Sequence, residues 1–108
     1  MIPLTADMYA FAAGLVATET GTSIDDILTS KSRVRTHVLS RRVLWMCLYD
    51  CGYISTYQLA SLSGWDRATV STGLVSLRDE MEFDPQLQGY VNRIKREVSK
   101  QVSSLLVP

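Results

Sequence analysis

The run TYQLASLSGWDRATVSTGL, residues 56–74, decides the architecture. Two helices that cross closely at a short turn need a small residue where their backbones approach. They also need a residue tolerant of positive φ in the turn, and a branched apolar residue on the second helix facing the first. Ala60, Gly64 and Val70 supply these three in order, with Leu59, Trp65 and Leu74 as flanking core positions. The reading is a short helix from Ser55 to Leu62 with Leu59 and Ala60 inward, then a tight Ser63–Gly64–Trp65 connection. Asp66 then caps a second helix that packs Val70, Leu74 and Leu77. Ser63 and Gly73 depart from the pattern, because larger apolar residues are usual at those places.

Working upstream, Met8, Phe11, Ala12, Leu15 and Val16 recur at helical spacing and predict a helix from Thr5 to about Thr20, ended by Gly21. Ser23 reads as the N-cap of a short helix, Ile24 to Leu28, with Asp25 and Asp26 in the first turn where the helix dipole favours negative charge. After a polar Thr29–Lys31 link, a long helix is expected from about Arg33 to Cys51, ended by Gly52. Val34, Val38, Trp45 and Leu48 mark its inward stripe, widened by Leu44, Met46 and Cys47. Downstream, Asp84–Pro85 is a restart signal, a cap followed by proline at the first helical position. The last helix, about residues 85–105, carries Leu87, Val91, Ile94, Val98, Val102 and Leu105.

These elements add up to an all-α, compact bundle of about five to six helices, a single domain over residues 1–108 whose crossing pair occupies about 55–80. The hydrophobic fraction of 46% suffices for a core, and the three prolines, at positions 3, 85 and 108, leave the middle of the chain unbroken. Residues 1–21 lack a basic start and carry Asp7 and Glu19 within their apolar stretch, so neither a signal peptide nor a membrane span is expected. Cys47 and Cys51, one helical turn apart, read as two buried thiols in a reducing cytoplasm. With His37 the sole histidine, no cysteine cluster and no glycine-rich phosphate loop, the expectations are no catalytic residues, no metal and no cofactor.

Formal net charge is zero, yet the charges are segregated. Residues 1–30 hold four acids and no base, whereas residues 31–42 hold Lys31, Arg33, Arg35, Arg41 and Arg42 and no acid. An acidic cluster at Asp79, Glu80, Glu82 and Asp84 is followed by a basic one at Arg93, Lys95, Arg96 and Lys100. Such segregation points to one face for an anionic partner. The alternative for Arg41 and Arg42 is a solvated pair bridging to Asp79 or Glu80.

The crossing pair resembles the helix-turn-helix of bacterial repressors. Leu15-Val16-Ala17, Gly21, Ser23, Asp25-Asp26 and Leu28, followed by Ser30-Lys31, Arg33, Arg35 and Arg41, make residues 12–100 similar to the C-terminal DNA-binding domain of the bacterial chromosomal replication initiator DnaA, a Trp-repressor-like fold. The resemblance implies that Arg33 enters the minor groove, with Lys31 and Arg35 as neighbours. The family's Gly-Gly-Arg-Asp-His-Thr-Thr-Val signature corresponds here to residues 64–70: Asp66, Thr69 and Val70 match, Arg67 stands for His, Ala68 for Thr, Trp65 for Arg, and one glycine is missing. These changes fall at base-reading positions, so the initiator's own target sequence is not carried over. Its ATPase phosphate loop has no counterpart in this sequence.

The function expected is sequence-specific binding of double-stranded DNA by a small bacterial or phage regulator of transcription or replication, in the cytoplasm. A recognition helix presents its N-terminal tip and outward face to the major groove. That makes Asp66 and Arg67 at the tip, and Ala68, Thr69, Ser71 and Thr72 along the face, the candidate contacts, with Thr56 at the start of the preceding helix. Arg67 suits a bidentate contact to guanine, while Asp66 reads equally as a plain cap. Lys31, Arg33, Arg35, Arg41 and Arg42 are the candidate backbone or minor-groove contacts. Two other readings stay open: an adaptor or inhibitor that engages a host protein through the same fold, and an architectural DNA-packaging subunit with little sequence preference. No membrane or small-molecule partner is expected. The apolar stripe of the last helix serves either its own domain or a homodimer.

Overall fold

Local chemistry sets the helix ends. Ser55 starts a helix by a capping box: its hydroxyl accepts the Gln58 amide and the Gln58 side chain accepts the Ser55 amide. Asp66 takes the Thr69 amide at 2.7 Å, and one Asp84 carboxylate oxygen takes the amides of Gln86 and Leu87. Ser23 takes that of Asp26. Gly21 and Gly64 sit at φ of 76° and 75°, left-handed values that let the amide of each turn back to a carbonyl four residues earlier.

The computed structural model describes residues 5–28, 31–51 and 54–106. Within them the order is α1 (Thr5–Thr20), α2 (Ile24–Leu28), α3 (Arg35–Asp50), α4 (Thr56–Ser63), α5 (Arg67–Phe83) and α6 (Pro85–Leu106), with no strand among the described residues. The fold is an all-α bundle. Gly52, expected to end α3, lies outside the described residues, as does the side chain of Leu105. No helix among the described residues is long and apolar enough to cross a membrane.

All six helices feed one core around α3, whose residues Val43 to Leu48 are all buried. Trp45 is its hinge point. Its indole N–H donates to the Tyr9 hydroxyl at 3.2 Å, and its ring lies against Gly73 of α5. A Cβ at position 73 would come within 3.1 Å of that ring, which explains a glycine where a larger apolar residue was expected. Ser63, the other departure, is buried and uses its hydroxyl to accept the Trp65 amide inside the turn. Val91, Ile94, Val98 and Val102 of α6 are fully buried within the single chain, packed against α1, α3 and α5.

Three sequence expectations are corrected. On α1 the inward face is turned toward Tyr9 and Ala13, and Phe11 is 36% exposed, because Tyr9 is drawn in by its bond to Trp45. The long helix begins at Arg35, and Val34, placed on the inward stripe, is an exposed cap residue. The Ser32 hydroxyl accepts the Val34 amide and holds the preceding loop in a turn. Cys47 is buried, and burial above all, with Cys51 adjacent, pushes its thiol up to about 12; Cys51 itself is only half-buried.

Asp50 ties three helices at the end of α3, pairing with Arg78 of α5 and, at 3.1 Å, with Lys95 of α6. Burial pulls its carboxyl upward, but the hydrogen bonds from Arg78 and Lys95 outweigh this and hold it below the ordinary carboxylate value. A depressed folded-state value contributes stability that is present above the unfolded value and is lost as pH falls through the folded one. Asp50→Asn should therefore lower stability at pH 7 by on the order of 1 kcal/mol, given the partial exposure of these pairs. The gap from wild type should close below about pH 4, read by urea melts across that range.

Candidate nucleic-acid interface

The first turn of α5 is the point on which the charged residues converge. Its buried side is Val70, Gly73, Leu74 and Leu77, so helical periodicity turns Ala68, Thr72 and Val75 outward, and all three are exposed. On one flank, Arg33 and Arg42 line a shallow depression with Ala68, Thr69 and Thr72. Arg33 and Arg42 continue, with Arg35, into a neighbouring cleft floored by Val38, Leu39 and Leu77 and closed by Glu80. Among the described residues Arg33, Arg35 and Arg42 make no hydrogen bond or ion pair, so the alternative reading of Arg42, a bridge to Asp79 or Glu80, is not formed. Arg42 instead rests its aliphatic stem near Gly73 and sends its head to the surface.

On the other flank Arg67 folds back across the start of α4. Its Nε donates to the Thr56 hydroxyl at 3.3 Å, and its guanidinium lies 4.0 Å from the centre of the exposed Tyr57 ring. Beyond it, Ser71 and Val75 share a surface hollow with Tyr49, Thr56 and Arg78.

Two cations from the same sequence run serve the scaffold. Arg41, grouped by sequence with the DNA contacts, is 3% exposed: its Nη2 donates to the Ser32 carbonyl at 3.0 Å and its guanidinium lies 5.0 Å from the Trp65 ring. Burial lowers its affinity for a proton, and the site withdraws it from any phosphate. Lys31 is exposed but committed, bonding the Gly64 carbonyl with its ammonium 4.2 Å over Trp65. Trp65 thus clasps the basic loop to the α4–α5 turn, a role signalled along the chain only by an aromatic ring amid cations. From the other side, Ser32 meets His37 Nδ1 at 3.0 Å, and His37 Nε2 lies 3.4 Å from Asp26 of α2. The Ser32 hydroxyl already holds the Val34 amide, so this chain of contacts pins the loop that carries Arg33.

Asp66 is a cap. Its carboxyl sits below the ordinary value because the Thr69 side chain and amide favour the charged form, the amide bonding it directly. Of the basic cluster on α6, Arg93 pairs with Glu19 at 2.9 Å and Lys95 with Asp50. Among the described residues no group of three or more His, Cys, Asp or Glu is placed to hold a metal ion. No protein-family model, curated protein or solved structure matches the chain.

Proposed function

We propose that this chain binds double-stranded DNA through a helix-turn-helix formed by α4 and α5, and acts as a small sequence-specific regulator of transcription or replication. The observation that carries the reading is the placement of Arg33 and Arg42, neither ion-paired among the described residues, against the N-terminal turns of α5 beside Ala68, Thr69 and Thr72, with Arg35 further along the same flank by Leu77 and Glu80. Net charge is irrelevant to such a footprint, because phosphates respond to local cations within a Debye length of about 8–10 Å.

In this reading α5 enters the major groove by its first two turns. Ala68 and the Thr72 methyl suit thymine methyls, Ser71 and Thr72 suit phosphates or base edges, and Arg67 suits guanine. Asp79, Glu80 and Glu82 begin roughly 10 Å beyond Thr72 along the helix, so the axis must tilt away from the duplex there. Arg33 in the flanking loop is the position that the resemblance to the initiator domain assigns to the minor groove. Lys31 and Arg41 fix that loop.

The exposed Tyr57 and Val75 on the same surface favour the protein-adaptor reading as the alternative. Selection of bound sites from random duplexes, with gel shifts and heparin retention, separates the readings. A sequence-specific regulator enriches one site, an architectural subunit shifts every duplex alike, and an adaptor shifts none. At the enriched site, Arg67→Ala should cost about 1–3 kcal/mol and relax the preference at one base pair. An Arg67→Ala protein with unchanged site preference would remove α5 from the groove.

A further inference from the structure

Arg67, exposed at the first turn of α5, is held on two sides. Its Nε donates to Thr56, and its guanidinium carbon lies over the Tyr57 ring, 4.0 Å from the ring centre, where the ring's negative face attracts the charge. Tyr57 is 67% exposed, a large aromatic left in water on the outer surface of α4. An unrestrained arginine loses much rotamer freedom when it binds, whereas a stacked one has already lost part of it. With Nε committed, the groups left for a ligand are the two terminal nitrogens, Nη1 and Nη2, directed along the end of the fork. That end presents two parallel N–H donors, the pattern that matches O6 and N7 of guanine and no other base edge in the major groove.

We infer that Tyr57, with Thr56, is a specificity-determining positioning residue that holds Arg67 end-on toward a single guanine. The inference rests on the DNA-binding reading above and goes beyond it in naming the residue that enforces the choice of base. Tyr57 acts through Arg67 and itself reads no base, so its loss should affect discrimination and leave general duplex affinity alone.

The test uses the full chain with Tyr57→Ala and Tyr57→Phe. Tyr57→Ala should lower the preference for G·C over other pairs at one position by about tenfold, with the affinity for random duplex and the log–log salt slope unchanged. Tyr57→Phe keeps the ring and should retain the preference. Equal loss in Tyr57→Phe, or a uniform drop on all duplexes with a shallower salt slope, would mean a hydroxyl contact to the backbone and would overturn the inference. A second measurement needs no DNA: the NMR order parameter of the Arg67 Nε–Hε group. It should be high in wild type and Tyr57→Phe and low in Tyr57→Ala. Equal values in wild type and Tyr57→Ala overturn the stacked arm whatever the duplex results. A rigid arm in a protein that shifts no duplex overturns the DNA reading and the guanine assignment with it.

Discussion

Trp45→Ala is expected to destabilise the fold by about 3–5 kcal/mol, the range for removing a buried aromatic residue from a core. Trp45 is 2% exposed, and three helices meet at its side chain. Its ring fills the notch at Gly73, its indole N–H reaches Tyr9 of α1, and its backbone belongs to α3. Truncation leaves a cavity between α3 and α5 and strips the buried Tyr9 hydroxyl of a donor. Domains of this size are stable by about 5–15 kcal/mol, so the loss takes a large part of the total. Trp45→Phe keeps most of the ring but not the N–H, and should cost less, about 1–3 kcal/mol. Urea unfolding of the two variants gives both figures; a Trp45→Ala protein within 1 kcal/mol of wild type would show that α5 is not seated on this ring. Because Arg42 leans on the same notch, Trp45→Ala should also loosen the spacing between Arg42 and Ala68.

The elements whose ends are set by neighbouring residues were legible in the sequence. Ser55, Gly64, Asp66 and Asp84–Pro85 mark their helix ends through bonds to residues two to four positions away, and the structure places them as read. What escaped was decided by contacts far along the chain. Arg41 and Arg42 are adjacent and chemically identical, and only the helical rotation that turns Arg41 to Trp65 and Ser32 separates a buried scaffold group from a surface one. Phe11 and Tyr9 differ as α1 core candidates by a hydroxyl that helical periodicity cannot weigh; Trp45, 36 residues on, chooses Tyr9. Lys31 reads as one cation among five until Gly64 and Trp65 claim it. For the candidate interface, the sequence located the basic run and the first turn of α5 separately. Their meeting is a tertiary event, made by the packing of α3 on α5 and by the Trp65 clasp.

That meeting leads to the largest effect expected on binding. Arg33 and Arg42 flank the α5 tip, and neither forms an ion pair with an acid among the described residues. If each contacts one phosphate, the double variant Arg33→Ala/Arg42→Ala releases two fewer counterions on binding, and the log–log salt slope becomes shallower by about 1.8. Over the decade from 1 M to 0.1 M salt this amounts to a loss of roughly 60-fold in affinity at 0.1 M, equal for cognate and random duplexes. The major-groove base preference should survive, since Arg67, Ala68 and Thr72 are untouched. The fold should survive as well, because Arg33 is exposed and only the stem of Arg42 packs. Arg41→Ala makes the opposite pattern: it should lower the melting temperature by removing a buried partner of Ser32 and Trp65, and leave the slope of the folded protein as it was. Duplex titrations at four or five salt concentrations measure all of this in one set. A folded double variant with wild-type affinity and slope would place the phosphates elsewhere, and the convergence of arginines on α5 would then need a partner other than DNA.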